Sequence, residues 1–188
     1  MYSPTKHQVF VSFHHKDQEW KEAFEKMYAE KFISVSVDVG DIDPDNEDEH
    51  IARLVRENHI VHSSVVFSLY GVETHGRKHV DWEIRAALSK AVGGHKGLVV
   101  MILPTFPVKP YNHLGNYDET VLYPYLHPRT VDNLKSGYAD LVYWPGLYSG
   151  MPGIVPLPID NVIETAFNKR DSYSHLIDLS EPKYQRNR

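Results

Sequence analysis

The sequence predicts an α/β domain, a mostly parallel central sheet of about five strands flanked by helices, with an irregular C-terminal elaboration. Two observations carry that reading. Short apolar runs rich in Val and Phe recur as HQVFVSF (7–13), SSVVFSLYG (63–71) and GLVVMIL (97–103), the composition of strands covered on both faces. Between them, apolar residues follow helical spacing, and such strand–helix alternation builds right-handed βαβ units around a parallel sheet.

In chain order, 7–13 is the first strand. Trp20, Ala23, Phe24, Met27 and Tyr28 then share a helical face, with Asp17 where an N-cap belongs. ISVSVDV (33–39) alternates apolar and polar strictly, which predicts a strand near a sheet edge with one face less buried. The acidic, turn-rich GDIDPDNEDEH leads to a helix carrying Ile51, Leu54 and Val55, and the strand at 63–71 follows. KHVDWEIRAALSKAV (78–92) then places Val80, Ile84, Ala87, Leu88 and Ala91 on one helical face, with Trp82 nearly opposite and Glu83 on the border. After the strand at 97–103 the pattern degrades: Pro, Gly and Tyr recur from 104 to 158, with a strand at ADLVYW (139–144) and a closing helix at IDNVIETAFNK (159–169). One domain over 1–175 is expected: a core at 7–103, an irregular aromatic and Pro-rich insertion at about 104–138, then the last strand and helix at about 139–170. A polar tail, 176–188, is expected to stay unpacked at EPKYQRNR.

Composition narrows the function. The chain has 188 residues, a formal net charge of -5 and no cysteine. One core suffices at this length, since such a domain buries roughly 70% of its unfolded surface. Disulfides, thiolate metal sites and a cysteine nucleophile are excluded. Mild acidity argues against broad nucleic-acid binding, which needs a basic face. MYSPTKHQ holds no long apolar stretch, so neither a signal peptide nor a membrane span is expected there, and a cytoplasmic location fits.

Ligands of open α/β sheets bind beyond the carboxyl ends of the strands, where strand order reverses. That rim receives Phe13, His14 and His15 after the first strand, Asp38 after the second, and Tyr70 and Gly71 after the third. Trp82 and Glu83, at the head of the next helix, face it too. The paired acids of a phosphoacceptor receiver are missing, and VSFHHKD has no glycine for a flavodoxin phosphate loop; GxGxxG and GxxxxGK[ST] are also absent. The twelve histidines include the pairs His14–His15, His59–His62 and His75–His79, but there is no HExxH, so no metal site is expected. The acidic loop (Asp41, Asp43, Asp45, Glu47) lacks the glycine and final glutamate of an EF-hand.

VFVSFHHKD, VDVGD, the strand from Ser63–Ser64 to Tyr70 and THGRKHVDWEI together resemble the TIR-like domain of the Thoeris anti-phage defence proteins. The specific parts are SFH after the first strand and R-K-x-V-x-aromatic-E-I at the helix head; His79 stands where many TIR sequences carry Trp. The resemblance implies a flavodoxin-like TIR-type fold and an enzyme that cleaves NAD+ at the nicotinamide–ribose bond, with Glu83 as the catalytic carboxylate. Phe13, His14, Asp38, Tyr70, His79 and Trp82 would form the substrate pocket. NAD+ is then substrate and no cofactor is needed. The product would be an ADP-ribose-derived signal, cyclic or conjugated, that activates a separate effector; a homo-oligomer stays open, and neither nucleic acid nor membrane is an expected partner.

A lone glutamate suits such chemistry. Glycosidases use two carboxylates because an alcohol leaving group must be protonated. Nicotinamide departs from a positively charged state and leaves neutral, so a carboxylate need only stabilise the ribosyl cation and anchor its hydroxyls. Plainer readings stand beside each assignment. Glu83 could be an ordinary first-turn acid, Phe13 the last core residue of its strand, His14 an exposed turn residue, and Trp82 a surface aromatic covered by the insertion. The Tyr-rich 111–148 stretch could be a lid or a packed elaboration. Two alternatives remain from other classes: a non-catalytic TIR-like scaffold that signals by assembly, and a nucleotide-sensing module.

Overall fold

A computed structural model describes residues 6–36, 49–154 and 158–188 of the chain. Its elements run His7–Ser12 (β1), Gln18–Met27 (α1), Phe32–Ser34 (β2), Glu49–His62 (α2), Val65–Tyr70 (β3), Lys78–Leu88 (α3), Gly97–Ile102 (β4), Pro128–Lys135 (α4), Asp140–Tyr143 (β5) and Ile159–Ser172 (α5). The five strands form one sheet in the order β2-β1-β3-β4-β5, every neighbouring pair parallel. That is the flavodoxin-like order, and it reverses between β1 and β3.

The apolar runs are continuous because both sheet faces are covered. Alternate residues of β3 separate cleanly. Val65, Phe67 and Leu69 join the cluster containing Phe24 of α1 and Val162, Ile163 and Ala166 of α5. Val66 and Tyr70 join the opposite one, with Ile60 of α2 and Val80, Ile84, Ala87 and Leu88 of α3. α5 approaches so closely that a Cβ at Gly97 would fall 2.2 Å from the Ala166 carbonyl oxygen.

Several expectations change. β2 is an edge strand, as its alternation predicts, but covers Phe32–Ser34, and residues 37–39 lie outside the described stretches. α3 stops at Leu88: Ser89 is extended (ψ 123°), and Gly93 and Gly94 carry the turn at φ 66° and 84°. Asp17 sits at the N-cap of α1 but makes no side-chain capping bond; its buried carboxylate instead accepts from Thr74 Oγ1 at 3.1 Å, and burial raises its pKa. The 104–138 insertion is more regular than expected. It holds a 3₁₀ segment at Glu119–Tyr125 and α4, whose buried residues include Arg129, Thr130 and Asn133. The tail also packs, with Tyr184 only 8% exposed.

Candidate active site

Three elements converge at the β1/β3 reversal. Ser12 ends β1, α2 contributes Arg56, and α3 contributes Glu83. The Arg56 Nε donates to Glu83 Oε1 at 2.9 Å, and the Ser12 hydroxyl donates to Oε2 at 2.5 Å. Burial raises the Glu83 pKa above the ordinary glutamate value, while the Arg56 charge and the Ser12 bond pull it back. Both donors suit the anion, and together they aim the carboxylate. α3 begins at Lys78, so Glu83 stands in its second turn rather than its first. Its charge is therefore governed by Arg56 and Ser12 more than by the helix dipole, which fades within one turn.

A shallow depression with about 10 Å³ of sheltered space opens beside this group, lined by Arg56, Glu57, His79, Trp82 and Glu83 over an apolar floor of Ile60 and Ala86. Arg56 Nη1 lies 3.4 Å from His79 Nδ1, and His79 meets the Trp82 ring edge-on at 5.5 Å. The indole N–H of Trp82 donates to the Tyr184 carbonyl at 2.8 Å. Trp82 thus turns away from the core of its own helix because the C-terminal segment supplies the partner there, not the insertion.

The structure brings Glu83, His79 and Trp82 together at one depression and places Phe13, His14 and Tyr70 elsewhere. Phe13 packs, half-buried, against the α1/α5-side core. His14 is buried rather than exposed; its Nε2 lies 3.6 Å from Glu73 Oε2, and its pKa falls to about 4, chiefly through burial and then through the charges of His15 and Arg77. Tyr70 is fully buried beneath α4. Its hydroxyl lies 2.7 Å from His127 Nδ1 and 2.8 Å from Thr130 Oγ1. His127 Nε2 faces the Arg77 carbonyl at 3.0 Å and must donate, so Nδ1 accepts from Tyr70 and Thr130 donates to Tyr70. Asp38 lies outside the described residues.

Sequence reasoning missed Arg56 and Ser12. One signal was available for Arg56: it stands four residues before buried Ile60, a charged residue on an apolar helical stripe. Among the described residues no group of three or more His, Asp or Glu is placed to hold a metal ion, and no helix is long and apolar enough to cross a membrane.

The family described as Thoeris protein ThsB, TIR-like domain, matches residues 10–106. The chain belongs to that family. The match runs from within β1 to just beyond β4 and so includes Ser12, Arg56 and Glu83. Among solved structures, the chain is similar to the Clostridium botulinum CMP N-glycosidase BcmB, at 13% identity and a TM-score of 0.38, covering 73% of this chain and 89% of that one. No curated protein matches the chain.

Proposed function

We propose that this TIR-like domain consumes NAD+ by cleaving the nicotinamide–ribose bond, with Glu83 as the catalytic carboxylate. The observation that carries the reading is one buried carboxylate, aimed by Ser12 and Arg56, bordering a depression at the sheet's reversal point in a TIR-like family member. In the reaction the bond between ribose C1′ and the pyridinium nitrogen breaks, and its electron pair passes to the nitrogen. Neutral nicotinamide leaves. The Glu83 anion stabilises the ribosyl cation electrostatically and accepts from ribose hydroxyls. A nucleophile then gives its lone pair to C1′. Water yields ADP-ribose and releases a proton, an adenine nitrogen yields a cyclic product, and another acceptor yields a conjugate. His79 and Trp82 wall the pocket. The proposed setting is the cytoplasm of a defended cell, where the product activates a separate effector and a homo-oligomer could complete the site; NAD+ is substrate and no resident cofactor is invoked.

Glu83→Gln tests this directly. It keeps the shape and the Ser12 bond but removes the charge, so nicotinamide release should fall by roughly 10²–10³, the scale of losing one preorganised transition-state contact. Circular dichroism and the thermal transition verify that the variant folds. Mass spectrometry of small molecules from phage-infected cells carrying wild type or Glu83→Gln identifies the product. One observation favours a second reading, a non-catalytic scaffold or nucleotide sensor: both Glu83 oxygens have protein partners. A scaffold requires Glu83→Gln to signal normally while charge reversal in the 41–49 loop abolishes signalling; a sensor requires tight nucleotide binding with no turnover.

A further inference from the structure

Arg56 is placed unusually for a residue that only holds a carboxylate. Its side chain is 25% exposed against 8% for Glu83, so it is the member of the pair that an entering ligand meets first. The depression beside it holds only about 10 Å³ of sheltered space, room for about one water molecule and far below the roughly 300–1,000 Å³ that houses most small-molecule ligands. Arg56 supplies one wall of that depression, and its second contact, to His79 Nδ1, is long at 3.4 Å. A guanidinium turned outward would no longer cover Glu83 Oε1 and would widen the depression. Oε2 stays held by Ser12, so the carboxylate keeps its aim.

We infer that Arg56 and Glu83 form an exchangeable ion pair: a dinucleotide carrying a cationic ring on its ribose and a diphosphate replaces both partners at once, diphosphate on Arg56 and cationic ribose on Glu83. This rests on the reading above and names how that site selects its substrate. The physical reason is charge conservation in a water-poor place. Separating the pair leaves the buried Glu83 charge uncompensated, at a cost that grows as the dielectric falls, and leaves the partly exposed Arg56 with water alone on its open side. A ligand with both charges restores two pairs, and the planar guanidinium fork matches diphosphate oxygens. A ligand with only one charge strands the other protein group. ADP alone leaves Glu83 unpaired; a nicotinamide riboside leaves Arg56 without an anion; a dihydronicotinamide dinucleotide lacks the cation.

Calorimetric titration with ADP separates this from a purely structural pair and needs no turnover. Glu83→Gln frees the guanidinium from its anion, so ADP should bind that variant about tenfold tighter than wild type. The gain should vanish in Glu83→Gln/Arg56→Gln, which contains no unpaired buried carboxylate to unfold it. Equal ADP affinity in wild type and Glu83→Gln overturns the exchange, as does a gain that survives loss of Arg56. In turnover, Arg56→Gln should raise the KM for NAD+ at least tenfold; a loss confined to kcat overturns the exchange in favour of mere positioning. Should Arg56→Gln alone not fold, the ADP comparison decides. If wild type cleaves no NAD+ while the ADP pattern holds, the proposed reaction fails and the exchange stands.

Discussion

Glu83 meets a permanent cation at one oxygen and a neutral hydroxyl at the other, and this asymmetry determines how it responds to acid. Burial is the largest influence and raises its pKa above 4.5, with Arg56 and then Ser12 opposing. Activity that needs the anion is present above the raised value and is lost as pH falls through it. The log of kcat/KM for nicotinamide release should therefore bend downward, toward unit slope, at a pH above the ordinary glutamate range. In Arg56→Gln the bend should move to higher pH, because the strongest opposing charge is gone. A bend at or below 4.5 in wild type, or no movement in the variant, would contradict the assignment. Glu83 could be picked out from RKHVDWEI because that motif is local, whereas Arg56 lies 27 positions away and joins it only when α2 packs beside α3. Tyr70 illustrates the opposite limit. Its place at a strand end was readable, but its burial depends on α4, which brings His127 and Thr130 over it.

The C-terminal segment and α4 behave as one polar clamp on the head of α3. Arg129, fully buried, donates from Nε to Asp81 Oδ1 at 3.2 Å and from Nη2 to the Glu181 carbonyl at 2.8 Å. Asp81 Oδ2 accepts from the Tyr184 backbone N–H at 2.9 Å, and the Arg188 N–H reaches the Gly76 carbonyl at 2.9 Å. A Cβ at Gly76 would fall 2.4 Å from the Arg188 carbonyl oxygen, so that contact demands glycine. Asp81→Ala leaves the Arg129 charge uncompensated and should lower unfolding free energy by about 3–5 kcal/mol. Asp160→Ala, which breaks the exposed Lys31–Asp160 pair, should cost no more than about 1 kcal/mol. Urea unfolding of both variants checks the contrast, and equal losses would refute it. The same clamp explains what the sequence hid. Strands covered on both faces announce themselves by apolar runs. A tail held by backbone hydrogen bonds and a short helix that buries Arg129, Thr130 and Asn133 look polar, so both read as irregular.

On the scale of the whole molecule, these buried polar groups make stability depend on pH with opposing signs. His127 is fully buried, and burial lowers its pKa from 6.5 to about 4. The unfolded chain binds this proton more readily, so the stabilising contribution is fully present above 6.5 and is lost as pH falls toward 4. His14 is shifted the same way and adds to it. Asp17 and Glu83 act oppositely: their raised values mean that the folded state takes up protons first, which stabilises it as pH falls through them. The raised carboxylates and the lowered histidines thus pull the profile in opposite directions, and only a variant that removes one group isolates its share. Urea unfolding of wild type and a position-127 variant between pH 7 and 5 makes that separation. His127→Gln, though less stable at pH 7 because it disturbs Tyr70 and the Arg77 carbonyl, cannot titrate, and on going from pH 7 to 5 it should lose less stability than wild type. Parallel profiles for the two proteins would mean that His127 keeps its ordinary proton affinity in the folded state and that the Tyr70–His127–Arg77 chain is not sealed from water.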